Sequence, residues 1–86
     1  MNINELIAIV KKKLRDNFTI ESIEIVDKSF LHKNHSGNKD GKFHLKLNIN
    51  SNELKKLNKV ESTKKIYKVL EYELKESIHS IQILIS

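Results

Sequence analysis

The chain has 86 residues and a formal net charge of +5, contains no cysteine, and is 38% hydrophobic. This length provides for one small domain covering residues 1–86, and the hydrophobic content argues against disorder. The lack of cysteine excludes a disulfide framework and a thiolate metal site built from this chain alone. The apolar stretches are too short for a signal peptide or a membrane span, so we expect a cytoplasmic protein.

The N-terminal segment has the pattern of an amphipathic helix. Its apolar residues recur at helical spacing, at Ile3, Ile7, Val10 and Leu14. This spacing predicts a helix over residues 3–16. Asn2 followed by Glu5 has the form of a capping box, with Asn2 accepting from the first turn.

Two segments of alternating polarity follow, at residues 22–27 and 42–50, and each predicts a strand with one buried face. The residues between them, 28–41, are too many for a minimal hairpin turn, so we expect this loop to carry function. His32 and His35 lie in the loop, while His44 follows it on the polar face of the second strand. Clustered imidazoles of this kind could hold a metal or contact a partner.

The C-terminal half predicts two helices and a strand. Ser51 is a suitable N-cap for a short helix, and a break near Asn58 separates it from a longer helix over residues 61–76. We expect one face of the longer helix to be formed by Val60, Tyr67, Leu70 and Leu74, with Ile66 alongside. The last strand is expected to place four residues on one face, namely His79, Ile81, Ile83 and Ile85.

The resulting order, αββααβ, predicts an α+β domain with helices packed on one face of a three-stranded sheet. The residues also resemble the BolA-like family over about residues 3–85. The segment IEIVDKSFLHKNHSG contains the family's valine-aspartate-x-serine run, its His-x-x-His and its glycine. Gly41, His44, Ser51 and His79 also stand at family positions. The resemblance implies a type-II KH-like fold with a mixed sheet, the third strand running parallel to the second.

The resemblance also implies a function. Relatives bind monothiol glutaredoxins and can share a [2Fe-2S] cluster with them, so the expected role is a non-enzymatic adaptor in cluster assembly, trafficking or iron regulation. The glutaredoxin and glutathione would supply thiolates, and this chain would supply imidazoles, as in a Rieske-type centre. His35 is the first candidate ligand, followed by His44 and then His32. We expect His79 to be a structural histidine and the chain alone to be a monomer.

One departure from the family pattern affects this expectation. Where the family usually has Arg-His-Arg at the start of the long helix, this chain has Ser62, Thr63 and Lys64. Threonine cannot replace an imidazole as a soft-metal ligand. A second loop histidine, glutathione or water could complete the cluster site, or the complex with glutaredoxin could form without a cluster. We expect a labile cluster that Thr63→His would strengthen. The loop 28–41 and the residues Ser62, Thr63, Lys64 and Lys65 are expected to face the partner.

Nucleic-acid binding is the alternative function, because the KH-like fold and a basic run are both compatible with a transcriptional regulator. The run consists of Lys55, Lys56, Lys59, Lys64, Lys65 and Lys68. The chain lacks the GXXG loop of RNA-binding KH domains. The run also has no interleaved arginines, and we expect it to have no exposed aromatic side chains, so weak and salt-dependent binding is expected. The sequence contains no recognisable nucleophile–base pair or phosphate-binding loop, so we do not expect an enzyme.

Overall fold

The computed structural model describes residues 2–29 and 42–86. These residues form four helices and three strands, which we label in chain order. They are α1 (Ile3–Asn17), β1 (Ser22–Asp27), β2 (Phe43–Asn50), α2 (Asn52–Lys55), α3 (Lys59–Val69), α4 (Glu71–Glu76) and β3 (Ile78–Ile85). The predicted loop ligands His32 and His35 lie outside the described residues, as do Gly37 and Gly41. None of the described helices has the length and apolar character needed to cross a membrane.

The three strands form one mixed sheet in the order β1-β2-β3. Strand β1 pairs antiparallel with β2, and β3 pairs parallel with β2. The predicted α+β class and the parallel pairing of the last strand are therefore confirmed. The parallel ladder has one irregularity, because its register shifts between Phe43 and His44. This shift determines how the histidines of the sheet are presented.

The core lies between the helices and one face of the sheet. Alternate residues of β2 are buried, namely Leu45, Leu47 and Ile49. Three residues at successive turns of α1 are also buried, namely Leu6, Val10 and Leu14. The long helical segment contributes Ile66 on α3 and Leu70, which is the C-cap of α3. On α1 the fully buried row begins at Leu6, whereas the sequence pattern had favoured Ile7, which is only half-buried. Either residue continues a helical stripe through Val10 and Leu14, so periodicity alone does not separate them.

The predicted helix starts are confirmed by their caps. Asn2 accepts a hydrogen bond from the Glu5 amide at 2.8 Å, and Ser51 accepts from the Leu54 amide at 3.1 Å. Asn58, where the sequence predicted a break, accepts from the Glu61 amide at 2.8 Å. Each cap satisfies an amide that has no partner within its own helix.

The C-terminal helical segment differs from the prediction in two ways. The single helix expected over residues 61–76 is interrupted at Leu70, whose ψ of 16° departs from helical values. The buried row also runs through Ser62, Ile66, Leu70 and Glu73, while Val60 and Tyr67, expected to be buried, are 62% and 43% exposed. Both rows have helical spacing, and the buried row includes a serine and a glutamate that apolar periodicity does not count.

Candidate functional site

The start of the sheet brings together the two histidines that the structure describes. His44 lies near the beginning of β2 and is 6% exposed. Its Nδ1 lies 2.6 Å from the hydroxyl oxygen of Ser80 on β3, and its backbone amide donates to the Ser29 hydroxyl oxygen at 3.1 Å. The imidazole is therefore on the polar face of the sheet, as predicted, but it is packed and oriented by the neighbouring strand.

His79 lies beside His44 because of the irregularity in the parallel ladder. Phe43 is opposite Ile78, but His44 is opposite Ser80, which leaves His79 as an extra residue between the two pairs. An extra residue of this kind re-aims its side chain. The His79 side chain is exposed, and its ring centroid lies 4.9 Å from that of His44, with the rings tilted by 45°.

This placement corrects the prediction that His79 shares a face with the isoleucines of β3. Ile81 and Ile83 pack against the core, whereas His79 is exposed and contacts an imidazole of the next strand. The sequence did contain a signal for the difference. Ile78 and Ile81 both face inward but are three residues apart, which breaks the two-residue period of a regular strand. A step of three residues in an otherwise alternating strand is typical of one inserted residue.

The chemistry available here is that of a partial metal site. Imidazole nitrogens suit iron, zinc and copper, and the contact from Ser80 to Nδ1 fixes the orientation of the His44 ring. Within residues 2–29 and 42–86, no group of three or more His, Cys, Asp or Glu side chains could hold a metal ion. The described residues therefore provide two neighbouring imidazole side chains, of which His79 is the exposed one.

A shallow cavity of about 380 Å³ lies next to this histidine pair. Its lining includes His44, Ser80 and Gln82 together with Lys28 and Lys46. Two ammonium groups beside an imidazole attract anionic groups, so the cavity is electrostatically suited to carboxylates or thiolates of a partner. Lys28 is the first residue of the loop 28–41 that was predicted to face the partner. Lys46 was not among the predicted residues, because it is separated from that loop along β2.

The start of α3, predicted to face the partner, is only partly available. Ser62 is buried, and its hydroxyl donates to the Lys59 carbonyl at 3.1 Å. Ser62 therefore supports the first turn of α3, and its prediction as a partner-contacting residue is wrong for that reason. Thr63 is half-buried, and Lys64 and Lys65 are exposed.

The structure does not place Thr63 with the described histidines. Thr63 lines a second cavity, of about 250 Å³, together with Ile83 and Leu84 near the C-terminal end of β3. His79 is at the opposite end of that strand. Five residues of strand separate His79 from Leu84, which corresponds to roughly 16 Å. A histidine at position 63 would therefore lie away from His44 and His79. Its position relative to His35, the first candidate ligand, falls outside the described residues.

The six lysines of the nucleic-acid alternative are all exposed. Lys55 ends α2 and Lys56 caps it, and the other four lie on α3. They form a basic surface across the two-helix segment, as the sequence predicted. The expectation that the run has no exposed aromatic side chain is wrong, because Tyr67 lies between Lys65 and Lys68 on α3 and is 43% exposed.

These features define a class of protein: a small α+β domain with a mixed three-stranded sheet and a histidine pair at the start of its parallel strands. Comparison with known proteins specifies the class. The family model described as BolA-like protein matches residues 14–86. The chain therefore belongs to the BolA-like family, and the resemblance found in its sequence motifs is confirmed.

Solved structures show the same fold. The BolA domain of SufE1 from Arabidopsis thaliana is similar with a TM-score of 0.78 and 24% identity, covering 100% of this chain and 93% of that chain. BolA1 from Arabidopsis thaliana is similar with a TM-score of 0.75 and 24% identity, covering 92% and 87%. A bol-like protein from Babesia bovis has a TM-score of 0.69 and 14% identity, covering 91% and 79%. A search of curated protein sequences gives no match.

Proposed function

We propose that this BolA-like protein is a non-enzymatic adaptor that binds a monothiol glutaredoxin and takes part in the assembly or trafficking of [2Fe-2S] clusters, or in iron regulation. The observation that carries the proposal is the exposed His79 imidazole beside the His44 ring. Family membership makes the same role the first one to test.

The proposed division of ligands follows from composition. The chain contains no cysteine, so thiolates would come from the glutaredoxin and glutathione. His79 is the accessible nitrogen ligand, and His44, held by Ser80, is the second imidazole. His35 and His32 remain sequence-based candidates. A cluster held by two thiolates and two imidazoles has the donor set of a Rieske-type centre.

The charges around the histidine pair favour such a partner. Lys28 and Lys46 line the cavity next to His44, and the carboxylates of glutathione are anionic at neutral pH. Attraction between these groups would steer association and fix its orientation. Lys64 and Lys65, the exposed lysines of the predicted partner surface, would interact with more distant acidic groups of the glutaredoxin.

The proposal is tested by mixing the protein anaerobically with the monothiol glutaredoxin of its host, glutathione, iron and sulfide. Visible absorption and circular dichroism are then recorded. We expect a spectrum that differs from that of the glutaredoxin homodimer and is lost with His79→Ala. Leu84→Ala is the matched control, because Leu84 is an exposed residue of the same strand far from the histidines.

Two results would contradict parts of the proposal, one the shared cluster and the other the role of His79. An unchanged homodimer spectrum would reject a shared cluster, and calorimetry with cluster-free glutaredoxin would then show whether the proteins associate at all. A new spectrum that survives His79→Ala but not His35→Ala would retain the adaptor function and reject His79 as a ligand.

Nucleic-acid binding is the second candidate, supported by the exposed lysines of α2 and α3. Non-specific binding by such a surface has a Kd near 10⁻⁴–10⁻⁶ M at physiological salt and weakens as salt rises. We expect this behaviour in a fluorescence anisotropy titration with duplex DNA. Sequence-selective binding tighter than about 1 μM at physiological salt would instead favour a transcriptional regulator.

A further inference from the structure

The outward side of α3 exposes two apolar side chains that do not belong to the core. Val60 and Tyr67 are 62% and 43% exposed, and Leu74 on α4, which is half-buried and packs against the core, borders them. All three line one open groove of about 1000 Å³. We call the surface formed by Val60, Thr63, Tyr67 and Leu74 the outer helix face. It shares no residue with the cavity next to His44.

The spacing of these residues indicates what kind of surface they contact. Val60, Tyr67 and Leu74 are each seven residues apart. Residues seven apart lie on nearly the same side of a continuous helix, so Val60 and Tyr67 share one side of α3, while Leu74 follows on α4 after the interruption at Leu70. The described core already has its own row through Ile66 and Leu70, so Val60 and Tyr67 form a second, outward seam of α3, with Leu74 at its border with the core. An amphipathic helix, which presents its apolar residues as one stripe, matches this seam.

The charges beside the seam indicate the chemistry of that helix. Four lysines line the same groove, Lys59, Lys64, Lys68 and Lys75, against one acidic residue, Glu71. Two copies of this face would bring eight lysines together, and like charges across an interface are unfavourable. A helix with acidic residues on either side of an apolar stripe would complement both the seam and its rim.

We propose that the outer helix face binds an acidic amphipathic helix of a partner protein. The groove extends from Lys59 to Lys75. At 1.5 Å per residue, the sixteen steps between them correspond to at most about 24 Å, because the helix is interrupted at Leu70, and this length matches a partner helix of up to about four turns. This binding goes beyond the proposed cluster function, because it needs neither His79 nor a bound cluster. It assigns to α3 and α4 a docking function that is independent of the histidine pair.

The test uses the whole protein without glutaredoxin, iron or sulfide. A displayed library of 16-residue helical peptides, randomised on all faces, is selected for binding at low salt. We expect enriched peptides to carry apolar residues at helical spacing with aspartate or glutamate beside them. A synthetic copy of the most enriched peptide should bind in fluorescence anisotropy, and its affinity should fall at least tenfold with Tyr67→Ala. Central aromatic residues of an interface often contribute this much or more.

Matched variants make the result specific. Tyr72→Ala removes the other exposed tyrosine, which is 64% exposed and outside the groove, and should leave the affinity unchanged. Tyr67→Phe keeps the ring and should retain most of the binding. Circular dichroism of each variant confirms that it is folded. Equal losses with Tyr67→Ala and Tyr72→Ala would overturn the proposal, as would enrichment of basic or non-helical peptides or of none.

Two other occupants have their own outcomes. Binding of the protein to phosphatidylserine-containing vesicles, lost with Tyr67→Ala in the absence of any selected peptide, would assign the face to an anionic membrane surface. Concentration-dependent self-association in sedimentation, abolished by the same variant, would assign it to a second copy of the chain. Either result overturns the proposal of a partner helix.

Discussion

The ion pair between Lys13 and Glu73 gives the sharpest stability prediction. Glu73 on α4 is 3% exposed, and its Oε2 lies 2.7 Å from Lys13 Nζ on α1. Its other oxygen, Oε1, is buried and has no hydrogen-bond partner among the described residues. Lys13→Met removes the ammonium group while keeping an unbranched apolar side chain. The carboxylate of Glu73 is then buried without a counter-charge.

The magnitude follows from burial. Removing one partner of a fully buried pair costs about 3–5 kcal/mol, because the remaining charge is neither solvated nor paired. The Lys13 side chain is 38% exposed, so water already weakens the pair and reaches the vacated site. We therefore expect a loss of about 2–3 kcal/mol. A domain of this length has a free energy of unfolding of about 4–13 kcal/mol, so the loss is a large fraction of the total.

The loss is measured by urea unfolding at neutral pH, followed by far-ultraviolet circular dichroism. With a slope of about 1 kcal/mol per molar urea, the midpoint should fall by about 2 M or more. The double variant Lys13→Met with Glu73→Met should recover most of the stability, because an apolar pair of similar size needs no counter-charge. Lys12→Met is the matched control, since Lys12 pairs with Asp16 at an exposed position. If Lys13→Met and Lys12→Met shift the midpoint equally, the reasoning is refuted.

Three further predictions concern single residues. Ser51→Ala should lower the free energy of unfolding by about 1–2 kcal/mol in the same assay, because the buried hydroxyl caps α2 and also donates to the Thr19 carbonyl at 2.7 Å. The hydrogen bond and charge of Asp16 raise the pKa of Lys12, so Asp16→Asn should lower that pKa in an NMR titration. Because the folded-state pKa is the raised one, the stabilisation is present at neutral pH and is lost as pH rises through that pKa. Thr63→His should leave the spectrum of a shared cluster unchanged, and a sharper spectrum would contradict the separation of Thr63 from His79.

The elements of the fold were largely predictable because their signals are local. The caps at Asn2, Ser51 and Asn58 place the starts of three helices, and each is a side chain acting on an amide three residues later. The alternation in β2 also appears directly in the burial of Leu45 and Leu47. Such signals need no knowledge of the rest of the chain.

The errors arise where two readings share the same period. The face predicted for the long helix joined Val60 and Tyr67 to Leu70. Tertiary packing buries Leu70 together with Ile66 and leaves Val60 and Tyr67 exposed. Part of this packing involves Glu73, whose burial depends on Lys13, sixty positions away in sequence. A pattern of apolar residues cannot report a buried carboxylate that becomes acceptable through a distant ammonium group.

The histidine site illustrates the same limit at a functional position. Judged from residue types alone, the absence of a histidine at position 63 predicts a weaker metal site. The sequence does not give the distances between side chains, on which a metal site depends. In the fold, the inserted residue in β3 re-aims His79 toward His44 at one end of the strand, while Thr63 lies near the other end. The two positions therefore belong to different surfaces. Replacement of the helix histidine leaves the imidazole pair intact, and it leaves α3 with the small side chain of Thr63 between Val60 and Tyr67 on the outer helix face. The proposed metal binding and the proposed helix docking therefore depend on different residues, and a substitution such as Tyr67→Ala should affect only the docking.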